Sequence, residues 1–194
     1  MSKIALTPNA TGTGVFTISS PATNTDRTLT LPDEAGTVLT TATAGVPVNG
    51  PAFSAYANAT QSISQATFTK VAINTEVFDT NSNFDSTTNY RFTPTVAGYY
   101  QVNGTVRFAG TTSAEYIAAV YKNGSVYSRG GDINSTGSTL GVSQLTFNEV
   151  VYLNGSTDYI ELYGYVNASS GHQLVYNAAD VSSRFSAALV RSAT

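Results

Sequence analysis

The chain has 194 residues, enough for one good core with a short appendage, and carries a formal net charge of −3 with a sequence pI of about 4.9. Its nine Lys and Arg form no cluster, which argues against a nucleic-acid footprint, and the absence of Cys removes disulfides, thiolate chemistry and Cys-based metal sites. Charged residues make up only 11% of the chain, and Ser and Thr roughly a quarter, with Val, Ala, Tyr and Phe carrying the apolar share; this is the composition of half-buried strands joined by many turns.

The first residues, MSKIALTPNATG, contain no apolar run of signal-peptide type, and no later stretch approaches a membrane span, so neither is expected. Residues 1–45 hold short alternating runs around Phe16 and Ile18, Leu29 and Leu31, and Val38, separated by the turn signals SPATNTD and PDEAG. Each run is about four or five residues, too short to stand alone in water, so the segment needs a partner chain or a docking surface. Residues 46–51 fall in the Gly- and Pro-containing stretch TATAGVPVNGP and read as a linker.

From residue 52 to 194 strands recur with turns between them, in the order AFSAYA, TKVAINTEVFDT (69–80, with a change of phase near Thr75), YRFTPTVAGYYQVNGTVRF, EYIAAVYKNGSVYS, and the long STLGVSQLTFNEVVYLNGSTDYIELYGYVN; the chain closes on SSRFSAALVRS. Asn123-Gly124 and Asn154-Gly155 are hairpin signals, since both central residues of a type I′ turn need positive φ. No helical period is sustained, and the spacing predicts an all-β sandwich or barrel.

Successive strand residues point to opposite faces, so the two parities can be read separately. After Gly98 the even positions Tyr100, Val102, Val106 and Phe108 form a core face, which leaves Tyr99 facing away from it. In DYIELYGYVN, Ile160, Leu162 and Val166 form the core set, while Tyr159, Glu161, Tyr163 and Tyr165 share the other face. EYIAAVY is apolar on both faces and adds Tyr121. Scattered surface tyrosines would account for this, but so many on a nominally wet face point to a subunit interface, where a ring buries area and its hydroxyl finds a partner. The expected interface residues are Tyr99, Tyr121, Tyr159, Tyr163 and Tyr165.

Across residues 52–190 the chain resembles the jelly-roll domain shared by the globular heads of complement-type proteins and tumour necrosis factor relatives. The resemblance rests on Phe92, Pro94, Gly98, Tyr99 and Tyr100, on Lys122-Asn123-Gly124, and on Phe185–Leu189. It departs at Ser156-Thr157-Asp158, where the family commonly has Gly-Asp. It implies a two-sheet sandwich of about ten strands that assembles as a homotrimer. Separately, Arg27–Leu39, RTLTLPDEAGTVL, resembles a segment that recurs in tail fibres and related virion proteins of tailed bacteriophages. That implies a virion-attachment or shaft segment ahead of a distal domain, assembled in the bacterial cytoplasm.

Catalysis finds little support. The single His172 has no nucleophile or acid beside it in any known motif, and Asp79, Asp85, Asp132, Asp158 and Asp180 sit in turns with no spacing that singles out a glycosidase pair. No cofactor is expected. The resemblance leaves Ca²⁺ open, with oxygens in 78–85 or 128–135 as candidate donors. The expected function is therefore structural and non-enzymatic: a short trimeric phage fibre whose head binds a host-surface glycan or protein through the loops 79–90, 109–115, 128–139 and 167–182. A trimeric capsid decoration protein is the alternative, and a glycan-cleaving enzyme a disfavoured third.

Overall fold

The computed structural model describes residues 10–15, 17, 19, 22–26, 28, 50–109, 115–134, 142–168, 170, 173–174 and 181–193. The chain divides into two units, Met1–Val38 and Leu39–Thr194. In the first, the described residues form a turn at Ala10–Thr11, and the Thr25 N–H donates to Thr23 Oγ1 (3.1 Å). The alternating runs expected around Phe16, Ile18, Leu29, Leu31 and Val38 lie outside the described residues.

The second unit is all strand and turn. In chain order, β1 is Ala52–Tyr56, β2 Gln61–Ser62, β3 Thr69–Lys70, β4 Thr75–Asp79, β5 Phe84–Asp85, β6 Arg91–Phe92 and β7 Ala97–Ala109. β8 is Glu115–Lys122, β9 Ser125–Asn134, β10 Val142–Asn154, β11 Ile160–Asn167, β12 Gln173–Leu174 and β13 Arg184–Ser192. One antiparallel sheet runs β4-β1-β13-β7-β10, with β12 beside the last residues of β7 and β2 on the far side of β12. The other runs β5-β6-β11-β8-β9, with β3 against β11. This is the expected jelly-roll sandwich, its strand count raised to thirteen among the described residues by five pieces only two residues long.

Alternation explains the layering. On β7, Tyr100, Val102, Val106 and Phe108 are buried, and on β11 so are Ile160, Leu162 and Val166. The space between the sheets is filled largely by rings: Phe53 stacks on Phe84 (centroids 4.4 Å apart) and on Phe92 (4.7 Å), and Phe108 stacks on Tyr116 (5.2 Å). The ring of Phe147 lies over Gly104, where a Cβ would stand 2.1 Å from it, so a bare backbone is needed on the inward face of β7. Tyr100 keeps its hydroxyl satisfied by donating to the Val96 carbonyl (2.7 Å).

Two expectations change at the strand ends. Residues 69–80, read as one strand, are β3 in one sheet and β4 in the other, and the change of phase near Thr75 is the crossover, with Val71 and Ile73 buried within it. Asn123 and Gly124 both have positive φ (53° and 78°) and close the β8–β9 hairpin as expected. Asn154-Gly155 does not make a hairpin, because β10 pairs with β7 and β11 with β8, in opposite sheets. Instead Asn154 Oδ1 accepts the N–H groups of Ser156, Thr157 and Asp158 (3.0, 2.9 and 2.9 Å), and only Gly155 has positive φ (72°). The Asn side chain substitutes for a strand partner and turns the chain from one sheet to the other.

Candidate functional site

The seven-stranded sheet has an open outer face on which several exposed apolar side chains stand among polar ones. Its alternation leaves Tyr99 on β7 and Tyr152 on β10 directly opposite each other, 45% and 41% exposed, with ring centroids 5.5 Å apart. Val150 on β10 and Val77 and Phe78 on β4 are also exposed. Between these two edges the strands β1 and β13 present small side chains. A hollow of about 300 Å³ runs there, lined by Ala52, Ser54, Ser186 and Ala188, with Phe78 on one flank and Gln101 and Asn103 on the other. An aromatic ridge beside a valley of small residues on one face has the anatomy of a protein–protein interface.

The five tyrosines expected to share an interface are not on one face. Tyr99 lies on the seven-stranded sheet, whereas Tyr121 and Tyr163 belong to β8 and β11 of the six-stranded sheet, Tyr165 to the same β11, and Tyr159 immediately precedes it. Parity read along one strand tells which side is outward, but not in which sheet that strand stands. Tyr121 and Tyr163 stack at 3.7 Å between centroids, and Phe68 packs on Tyr165 (5.0 Å) and Tyr121 (5.9 Å) under the Arg129 guanidinium (5.1 Å). Arg91 sits over the Tyr159 ring at 4.4 Å. These rings cover Ile117 and Ala119, both buried, and so account for a strand that is apolar on both faces. Tyr152, which completes the open face with Tyr99, was missed, although its alternation with Val151 and Leu153 carries the signal.

Glu161, on the nominally wet face, is 3% exposed and ion-paired with Lys70, which also donates to the Asn89 carbonyl (3.1 Å). Burial, with the Glu161 charge adding to it, pushes the Tyr163 hydroxyl up to about 12.

In 78–85, one of the two stretches left open as a source of calcium donors, both carboxylates accept backbone N–H groups. Asp85 accepts from the N–H groups of Thr88 (2.9 Å), Thr87 (3.0 Å) and Asn89 (3.1 Å), which holds its carboxyl well below the usual range. Asp79 accepts from Asn81 N–H (3.2 Å) and Phe84 N–H (2.7 Å). Asp158, despite partial desolvation, is held low by Asn123 and Lys122, which bond it at 2.8 and 2.9 Å. Residues 128–134 belong to strand β9 and not to a loop, with Asp132 exposed on it. Among the described residues no three His, Cys, Asp or Glu gather as a metal site. His172, Asp180 and most of the loops 109–115, 135–139 and 167–182 lie outside the described residues.

The two sheets make this chain an all-β jelly-roll sandwich with an open outer face. Among solved structures it is similar to murine APRIL, with a TM-score of 0.52 at 10% identity over 73% of this chain and 100% of that one. It is also similar to the globular domain of zebrafish complement 1qA protein, with a TM-score of 0.46 at 16% identity over 75% of this chain and 100% of that one. No protein-family model and no curated protein matches the chain.

Proposed function

We propose that this chain is a structural, non-enzymatic protein of a tailed-phage virion, a short homotrimeric fibre whose jelly-roll head attaches to the host surface. The observation that carries the assembly is the open face of the seven-stranded sheet, where Tyr99, Val150, Tyr152 and Phe78 stand in water around a valley of Ser and Ala. A monomer gains nothing from exposing such a face, and a second copy gains the burial of its apolar area, at about 25 cal/mol per Å². The ridge and the valley occupy different places on that face, so the ridge of one copy can enter the valley of the next, and the trimer is the arrangement in which three such head-to-tail contacts close a ring. A fold built to present loops at the ends of a rigid sandwich suits adhesion. The virion assignment rests on the likeness of Arg27–Leu39 to phage fibre segments.

Gold-labelled antibodies against the chain, applied to particles released by the cells that encode it, test the reading. Label at the tail supports the fibre. Label distributed over the capsid replaces the fibre with a decoration protein, and particles without label overturn the virion role.

A further inference from the structure

Four Asn-Gly steps occur in the chain, at 49–50, 103–104, 123–124 and 154–155. At such a step an asparagine most readily loses its side-chain amide, because glycine puts no Cβ in the way of its own nitrogen. Asn49 lies outside the described residues, and the fold treats the other three differently. Asn103-Gly104 stands inside β7, with Gly104 opposite Phe147 of β10 on one side and Phe185 of β13 on the other, and the Phe147 ring closes over it. Asn154 Oδ1 accepts three backbone N–H groups, its Nδ2 donates to Thr157 Oγ1 (2.8 Å), and Gly155 is pressed against Ala97. Asn123 and Gly124 are both exposed, at the tip of a hairpin whose second strand, β9, is the edge of its sheet. A Cβ on Gly124 would meet nothing nearer than the Tyr159 hydroxyl at 3.5 Å, so this turn has room to move.

The Asn123 side chain is held by two bonds: Nδ2 donates to Asp158 Oδ1 (2.8 Å), and Oδ1 accepts the Tyr159 N–H (2.9 Å). Opening an exposed turn on an edge strand lies at the low end of local unfolding, whereas β7 and the Asn154 turn open only with the sandwich. We propose that Asn123 is a native-state modification site that deamidates with water as its only co-reactant, while the fold shields Asn103 and Asn154. The Gly124 nitrogen, giving up its proton to base, bonds to Asn123 Cγ, and the Cγ–Nδ2 bond breaks with release of ammonia. Water then opens the resulting succinimide at either carbonyl, leaving aspartate or isoaspartate, and no electrons are exchanged. The product carries a carboxylate in place of the amide that donated to Asp158, so two anions meet where the β8–β9 hairpin is tied to the turn before β11. Lys122, which already serves Asp158 (2.9 Å) and the Tyr152 carbonyl (2.8 Å), is left to neutralise both. Deamidation therefore loosens this end of the sandwich. The hairpin belongs to the six-stranded sheet, not to the outer face that further copies cover.

The full chain, incubated in mildly alkaline buffer and then digested, tests this by peptide mass spectrometry, with isoaspartate counted by enzymatic methyl transfer. Asn123 converts about tenfold or more faster than Asn103 and Asn154, and the gap closes in concentrated urea, where no fold protects the slower two. Asn123 as slow as either of the others in the folded chain overturns the proposal. So does a gap that persists in urea, since sequence and not structure would then set the order. The consequence is read on Asn123→Asp, whose urea midpoint falls below that of the parent. Adding Asp158→Asn to it restores an amide–carboxylate pair with the partners exchanged and recovers much of the loss. A parental midpoint in Asn123→Asp, or a double variant weaker than the single one, overturns the loosening through Asp158.

Discussion

Tyr121 and Tyr163 lie face to face with ring centroids 3.7 Å apart, in the sheet opposite the one that exposes Tyr99 to Tyr152. The two aromatic pairs therefore do different work. Tyr163→Lys removes a stacked ring that covers the six-stranded sheet and lowers folding stability by about 2 kcal/mol, leaving the assembled mass unchanged. Tyr152→Lys loses the Tyr99 ring contact and the Lys122 ammonium 5.7 Å from the Tyr152 ring, which costs the fold about 1 kcal/mol, but it also buries an unpaired charge between copies and dissociates the assembly. Light scattering and urea titration on both variants separate the two effects. Dissociation by the first and not the second would reverse the assignment of faces.

The Lys70–Glu161 pair is asymmetric, with Glu161 nearly inaccessible and Lys70 reaching solvent. Lys70→Met leaves a buried carboxylate without its cation and costs about 3 kcal/mol or more. Adding Glu161→Leu to it restores most of the loss, because two apolar chains then fill the gap. Chemical denaturation of the single and double variants at one protein concentration shows whether the coupling has this sign.

At Gly155 φ is +72°, and a Cβ would stand 2.3 Å from the Ala97 nitrogen. Gly155→Ala therefore strains the turn and pushes it off the start of β7, at a cost of about 2 kcal/mol. Gly124 has a similar φ of +78°, but its nearest neighbour would be the Tyr159 hydroxyl at 3.5 Å, so Gly124→Ala costs less, about 1 kcal/mol. Thermal melts that rank the two the other way would contradict the close approach at 155.

Asp85 has a folded pKa below its unfolded value, because the backbone N–H groups of Thr88 and Thr87 bond its ionised form. Its contribution is present in full above the ordinary carboxylate pKa and is lost as pH falls through the depressed one. Asp158 is shifted in the same direction. Melting temperature is thus flat from about pH 6 to 8 in this respect and falls progressively below about pH 4, and Asp85→Asn makes the acid limb shallower. An identical acid limb in the variant would show that the Asp85 turn does not contribute.

Much of this fold is legible in one dimension. The alternation of Tyr100, Val102, Val106 and Phe108, and of Ile160, Leu162 and Val166, is set by the two-residue period of the strand and predicts burial correctly. What period cannot convey is the sheet to which a strand belongs. Residues 69–80 alternate through a crossover, Asn154-Gly155 turns between sheets while looking like a hairpin, and the tyrosines of β7 and β11 share parity without sharing a face. Glu161 looked solvated because its cation, Lys70, is far away in sequence. The end of β13 is hidden for another reason: a single inserted residue at Val190 turns Arg191 to the outer face, and no local composition marks it.

The central claim is that the open face of the seven-stranded sheet is closed by two further copies of the chain. Sedimentation equilibrium of the full chain at neutral pH tests it most directly. The account predicts a single species of three times the 20.3 kDa chain mass, and a monomer when Tyr152 is changed to Lys. A parent chain that sediments at 20.3 kDa across micromolar concentrations would contradict it.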